Sequence, residues 1–190
     1  MNIKQTFRVV PQTPLSISNV IKGQIPTAIY SYYHDQDQLS FYVLRWDKLD
    51  PRTGKITKDI LPYCYIKLKN GECRWVIKWP DFLRPLYNLP DILNFPYKPI
   101  LIVEGEKVVE AARKAFSEWV VTTSSGGSNA ADKSDWSILH NRIIYISYDC
   151  DKAGIKYRDK VIELLKNIGV KELHIIQTEK LWGLQNAITT

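Results

Sequence analysis

Cysteine is scarce in this 190-residue sequence, and its three cysteines follow no recognisable framework. Cys64, Cys73 and Cys150 are odd in number and contain no Cys-x-x-Cys pair. A zinc ribbon requires Cys-x-x-Cys pairs, and a disulfide framework uses an even number of cysteines. The sequence therefore excludes both classes and favours buried free thiols, although Cys64 and Cys73 at the ends of a hairpin leave one pairing open.

Long apolar runs are also missing. No stretch approaches the ~20 apolar residues that a helix needs to cross a bilayer, and the first five residues lack the apolar core of a signal peptide. We therefore expect a cytoplasmic protein with no membrane contact. A content of 45% hydrophobic and 24% charged residues is typical of a globular protein, with enough length for one good-sized domain or two small ones.

Positive charge is distributed unevenly along the chain. Residues 1–98 carry 14 Lys and Arg against 8 Asp and Glu, whereas residues 99–190 carry 12 of each. The basic half also contains Trp46, Trp75, Trp79 and most of the tyrosines. Cations that follow phosphates and rings that stack on bases suit a single-stranded nucleic acid. The alternative is a small β-domain with an aromatic core and solubilising lysines. The candidate nucleic-acid contacts are Arg45, Lys55, Lys58, Lys67, Arg74 and Lys78.

Strand and turn signals organise the first half. Residues 1–27 are polar and proline-containing, which predicts an arm. Residues 28–80 predict a small basic antiparallel subdomain of roughly four strands, in which Asn70-Gly71 is a strong hairpin signal. The last of these strands pair as 63–68 and 74–79. Residues 81–98 are proline-rich and predict a connector with a short helix near residues 89–93.

From residue 99 to residue 180 strand and helix signals alternate, and residues 181–190 are left as a tail. The pattern predicts strands at 100–103, 119–123, 143–148 and 172–176, with helices at 107–116, after Asn129 and after Asp151. Four strands joined by right-handed crossovers predict an α/β fold. We expect a compact, mostly parallel four-stranded sheet with flanking helices, preceded by the small antiparallel β-rich subdomain.

Two of these predicted strands end in carboxylates, Glu104 after the first and Asp149 and Asp151 after the third. Sites in open α/β sheets lie beyond the carboxyl ends of the strands. Mg²⁺ is usually held by one or two carboxylates together with waters and substrate phosphates. The pattern predicts that the three carboxylates converge on Mg²⁺ or Mn²⁺. The alternative for Asp151 is that it only caps a helix.

These pieces resemble the Toprim domain, which bacterial-type primases, type IA and type II topoisomerases and several nucleases share. The resemblance lies in Val103-Glu104-Gly105, in the loop Ser124-Ser125-Gly126-Gly127, and in Tyr148-Asp149-Cys150-Asp151-Lys152-Ala153-Gly154. The last motif is similar to that of replicative primases and phage primase-helicases. The run Glu104–Lys107, preceded by Arg84–Tyr87, resembles primase-like proteins of phages and plasmids.

The resemblance implies a DNA primase-type nucleotidyltransferase that makes primers on single-stranded DNA from NTPs, with a replicative helicase as a further partner. It implies acid/base chemistry or metal binding at Glu104, and binding of Mg²⁺ or Mn²⁺ at Asp149 and Asp151. The phosphate contacts that it implies are Lys107, Ser125, Gly126, Gly127 and Lys152. Two alternatives stay open: a metal-dependent nuclease and a non-catalytic single-stranded nucleic-acid-binding module.

The sequence departs from the primase pattern at two places. Val108 occupies the position where many primase-type Toprim sequences carry an acid, four residues after Glu104. Many also have Asp-Pro-Asp after the fourth strand, where this chain has residues 177–182, Gln-Thr-Glu-Lys-Leu-Trp. One or two expected ligands are therefore missing. A fragment of a larger primase-helicase, a reduced relative and a degenerate copy are all compatible with these departures.

Overall fold

The computed structural model describes residues 8–9, 17, 20–127 and 129–177. The chain divides into two compact units between Phe82 and Leu83, inside the segment predicted as a connector. Most of the predicted arm and the whole predicted tail, 181–190, lie outside the described residues. Among the helices described, none is long and apolar enough to cross a bilayer.

The first unit contains an antiparallel sheet of strands β1 (Arg8–Val9), β2 (Ala28–Tyr33), β3 (Leu39–Leu49), β4 (Ile56–Lys67) and β5 (Cys73–Val76). Strand β4 pairs with β3 along its first part and with β1 and β5 near its end. It begins at Ile56, well before the predicted start at residue 63. The turn that precedes it is held by Asp50, whose Oδ1 accepts hydrogen bonds from the backbone N–H groups of Arg52 and Thr53.

Aromatic side chains form much of the core in the first unit. Trp75 stacks on Tyr63 with ring centroids 4.8 Å apart, and Tyr42 and Tyr65 pack around the same indole. Residues on the other face of the sheet, Tyr32 and Phe41, stack at 4.7 Å. These rings therefore pack against one another, as expected for the alternative of a small β-domain with an aromatic core.

The second unit contains a four-stranded parallel sheet, which confirms the predicted α/β class. After helix α1 (Leu89–Asn94) come β6 (Ile100–Ile102), α2 (Glu106–Ala115), β7 (Val120–Thr122), β8 (Ile143–Tyr148), α3 (Lys152–Ile168) and β9 (Glu172–Gln177). The strand order is β7-β6-β8-β9, and every pair is parallel. Apolar residues of β6 and β8 share one buried cluster with residues of α1 and with Tyr157, Val161 and Leu165 of α3.

The helix predicted after Asn129 does not form. Residues 131–133 and 137–139 make two short 3-10 turns instead, and the side chain of Asn129 accepts a hydrogen bond from Lys156. Two interactions interrupt the helix. Asp135 Oδ1 accepts hydrogen bonds from both the N–H and the hydroxyl of Ser137, a local pattern that competes with helix. Ser134 is extended and bridges to Arg84, which lies far away in sequence.

Candidate active site at the carboxyl edge of the parallel sheet

The two carboxylate-bearing strand ends are neighbours in the sheet. Strands β6 and β8 pair with Ile102 opposite Ile146. Glu104 comes two residues after Ile102, and Asp149 comes three residues after Ile146. The strand order reverses here, because the chain passes from β6 to β7 on one side and then crosses to β8 on the other. Ligands of open α/β sheets bind at such reversal points.

A glycine orients the turn that follows Glu104. Gly105 has φ 90° and ψ 153°, a conformation that is essentially restricted to glycine. Its N–H donates to Thr123 Oγ1 at 3.1 Å, which links the end of β6 to the end of β7. Glu104 is half-buried, and its Oε2 atom is shielded from solvent.

Asp149 and Asp151 have different surroundings. Asp151 is the N-cap of α3, and its Oδ1 accepts the Gly154 N–H at 2.8 Å. Asp149 is exposed, and within the described part of the chain its carboxylate has neither a hydrogen bond nor an ion pair. The helix-capping alternative for Asp151 is thus present in the structure, whereas Asp149 is available to a ligand.

The described residues contain no group of three or more His, Cys, Asp or Glu side chains that could hold a metal ion. Within the described residues, the three carboxylates therefore do not form the single cation site that the sequence predicted. Glu104 and Asp149, at neighbouring strand ends, supply the kind of oxygen donor that Mg²⁺ accepts together with waters and substrate phosphates. Mg²⁺ is commonly bound in this way.

Glu110, which follows the non-acidic position Val108 on α2, is engaged with other side chains. Glu110, two residues later, accepts a hydrogen bond from the Tyr87 hydroxyl at 2.9 Å and pairs with Arg113 at 3.2 Å. Burial and the adjacent Glu110 both raise the pKa of Tyr87, so its hydroxyl stays a donor to this carboxylate. Glu110 therefore anchors α2 to the segment before α1.

The glycine loop follows β7, as predicted. Gly126 and Gly127 have φ 87° and 73° in succession, which turns the backbone sharply. Ser125 is fully buried, and among the described atoms its Oγ has no hydrogen-bond partner. Lys107 and Lys152 are both exposed, at the starts of α2 and α3, and neither forms an ion pair with a described residue.

A buried tyrosine that the sequence prediction missed connects these parts. The Tyr157 hydroxyl lies 3.1 Å from Ser124 Oγ and 3.4 Å from Thr123 Oγ1. Burial is the main cause that raises the pKa of Tyr157, which keeps the hydroxyl neutral. The spacing of Tyr157, Val161 and Leu165 was the available signal, because residues four apart share a helix face.

The basic residues of the first unit that were predicted to contact nucleic acid do not all lie on one face of the sheet. Strand register puts Arg45, Lys58 and Arg74 on one face of the sheet and Lys67 on the other, while Lys55 lies in the turn before β4. Two of the predicted cations are paired with carboxylates, Arg45 with Asp47 at 2.8 Å and Lys78 with Asp81 at 2.9 Å.

The second unit is similar to a known family of domains. Residues 99–178 match the family model of the Toprim domain. No curated protein matches the chain. Three solved structures are similar to it: a DnaG catalytic core (16% identity, TM-score 0.39), a DnaG primase catalytic domain bound to single-stranded DNA (17%, 0.38) and the E. coli primase catalytic core (17%, 0.35).

The alignments to these three structures cover 71%, 78% and 74% of this chain. They cover 44%, 49% and 47% of the solved chains, so this chain spans less than half of their length. The family match contains the whole parallel sheet and both carboxylate-bearing strand ends. Residues 99–178 are therefore similar to the Toprim domain.

Proposed function

We propose that the chain is a primase-type nucleotidyltransferase core that transfers nucleotides, in a reaction dependent on Mg²⁺ or Mn²⁺, to a primer growing on single-stranded DNA. The observation that carries this proposal is the strand order within the Toprim domain, which leaves Glu104 and Asp149 at neighbouring strand ends. The motifs Arg84–Tyr87 and Glu104–Lys107 favour the primase subtype. NTPs are the proposed substrates, a replicative helicase is a proposed partner, and the cytoplasm is the proposed compartment.

The chain's own residues have separable roles in this reaction. When bound, the divalent cation supplies charge neutralisation at the reacting phosphate and helps to activate the attacking hydroxyl. Glu104 and Asp149 would hold it, and Glu104 is also the residue able to take or return a proton. The backbone N–H groups of Gly126 and Gly127 orient the phosphates, as glycine turns do elsewhere. Lys107 and Lys152 add positive charge for the triphosphate.

The single-stranded template is proposed to bind the basic first unit. Four of the predicted cations are exposed and form no ion pair with a described carboxylate, so they are available to phosphates: Lys55, Lys58, Lys67 and Arg74. Stacking contributes less than composition suggested, because Trp75 is already stacked on Tyr63. We therefore propose that the single strand binds mainly through contacts between these cations and its phosphates.

One observation favours a second candidate, a nucleic-acid-binding module without catalysis. Asp151 is used as a helix cap, and no three metal-ligating side chains are grouped among the described residues. In this alternative the first unit still binds single strands, but no nucleotide is transferred. A metal-dependent nuclease would use the same carboxylates, with water as the attacking group and the DNA backbone as the substrate.

The test is incubation of the protein with single-stranded DNA, labelled NTPs and Mg²⁺ or Mn²⁺, with products separated by size. Extension products support the proposal, template shortening supports the nuclease, and unchanged DNA that is nevertheless retained by the protein supports the binding module. Glu104→Gln and Asp149→Asn should each remove the extension products. Glu163→Gln is the matched control, since Glu163 is an exposed acid on α3 whose partner among the described residues is Lys160.

A further inference from the structure

The Tyr157 hydroxyl connects the residues that follow β6 and β7. Thr123 Oγ1 accepts the Gly105 N–H at 3.1 Å and lies 3.4 Å from the Tyr157 hydroxyl. The same hydroxyl lies 3.1 Å from Ser124 Oγ and accepts the Ser124 N–H at 3.4 Å. Tyr157, Thr123 and Ser124 are all buried, so water does not substitute for these bonds.

These hydrogen bonds restrict two peptide planes at the candidate site. The Gly105 N–H belongs to the peptide that carries the Glu104 carbonyl, so its bond to Thr123 fixes how the chain leaves Glu104. The Ser124 N–H belongs to the peptide bond between Thr123 and Ser124, where the chain enters the loop Ser124–Gly127. One phenol therefore constrains both the acidic turn and the glycine loop.

Helix α3 also fixes the position of the Tyr157 phenol relative to the end of β8. Gly154 lies so close to β8 that a β-carbon there would be 2.1 Å from the carbonyl oxygen of Asp149. Tyr157 follows three residues later, about one helical turn along the same face. The first two turns of α3 thus contact Asp149 directly, and through Tyr157 they reach the ends of β7 and β6.

We propose that Tyr157 is a positioning residue, whose hydroxyl sets the spacing between the Glu104–Gly105 turn and the Ser124–Gly127 loop so that both engage one nucleoside triphosphate. The identity of this ligand rests on the proposed function, whereas the link between turn and loop does not. The positioning role is assigned to the hydroxyl alone, because the ring of Tyr157 packs within the buried apolar cluster of the second unit.

The experiment uses the full chain with Tyr157→Phe, which keeps the ring and removes the hydroxyl. Amide hydrogen exchange at Gly105 and Ser124, followed by NMR, reports the link. Calorimetric titration with ATP in the presence of Mn²⁺ reports ligand binding. We expect faster exchange at both amides and ATP affinity weaker by about tenfold, as expected when a buried hydrogen bond loses one partner.

Two further variants separate positioning from general destabilisation. Thr123→Val removes the acceptor of the Gly105 N–H without changing side-chain size and should reproduce the affinity loss, whereas Thr123→Ser should restore it. Tyr145→Phe is the control, because Tyr145 lies on β8 against Trp119 and His174, outside the cluster that contains Tyr157. It should change neither readout.

Normal ATP affinity in Tyr157→Phe, or unchanged exchange at Gly105, would overturn the positioning role while leaving the proposed function intact. Failure of the unmodified protein to bind ATP with Mn²⁺ would overturn the proposed function and the positioning role together. In that event, the exchange data still decide whether the link between turn and loop exists.

Discussion

Gly154 and Asp149 are in such close contact that a β-carbon at residue 154 would lie 2.1 Å from the Asp149 carbonyl oxygen and 2.9 Å from its carbonyl carbon. The atoms in conflict belong to the backbone, so no side-chain rotation relieves them. The glycine is therefore required for α3 to begin directly behind the end of β8. That position also brings the Asp151 side chain to the Gly154 N–H.

Gly154→Ala is expected to lower the free energy of unfolding by about 2–3 kcal/mol, because overpacking forces the backbone to shift. Urea denaturation measures this change. Ala153→Gly is the control one residue earlier, at an exposed position, where loss of helix propensity alone costs about 1 kcal/mol. Equal effects of the two substitutions would show that the close contact is not maintained in solution.

Asp151 allows capping to be separated from metal binding. Asp151→Ala should lower the free energy of unfolding by about 1 kcal/mol through loss of the N-cap, and Asp151→Asn should lower it much less, because asparagine caps equally well. Denaturation is repeated with millimolar Mn²⁺. If Asp151→Asn loses the stabilisation by Mn²⁺ while keeping its stability in the absence of metal, the carboxylate binds the cation in addition to capping.

Divalent cations should stabilise the folded protein. A ligand at a hundred times its Kd adds about 2.7 kcal/mol when it binds only the native state, so the melting temperature should rise with Mg²⁺ or Mn²⁺. Asp149→Asn should remove most of this increase, since its carboxylate has no described protein partner. Glu163→Gln should retain it. A melting temperature indifferent to both cations in the unmodified protein would favour the binding module.

Single-stranded DNA affinity should fall steeply with salt, because binding releases counterions. Lys58→Ala and Arg74→Ala, on the same face of the first sheet, should each weaken binding and reduce the slope of log affinity against log salt by about 0.7. Filter binding over a salt series measures both quantities. Lys78→Ala should have a smaller effect, because the Lys78 ammonium pairs with Asp81. Affinity independent of ionic strength would contradict a charge-based interface.

Local sequence signals predicted the elements that depend on local chemistry. The apolar runs at residues 100–102 and 143–148 form parallel strands, because continuous apolar sequence suits a strand buried on both faces. Asn70-Gly71 makes the predicted hairpin, with Gly71 at φ 86°. Asp151 caps the start of α3, which is the alternative that the sequence left open for it, and Gly169 ends the helix in the left-handed conformation at φ 76°.

The errors arose where distant residues compete with a local pattern. The segment after Asn129 has a capping-box spacing, yet the backbone of Arg84 bonds to both Lys133 and Asp135 and holds Ser134, between them, extended. The start of β4 was placed too late, because its first residues gain strand structure by pairing with β3 and have little apolar signal of their own.

The sequence by itself determined which residue types follow each strand, and hence that Glu104, Asp149 and the glycine loop lie at the carboxyl edge of a parallel sheet. Only the tertiary structure decided that β6 and β8 are adjacent and that Tyr157 links the loops. It also decided that Asp151 is a cap, while the Asp149 carboxylate has no hydrogen bond or ion pair with a described residue. The physical reason is that caps and turns depend on hydrogen bonds within a few residues. Strand order and the contacts of a buried phenol depend on how segments distant in sequence pack together.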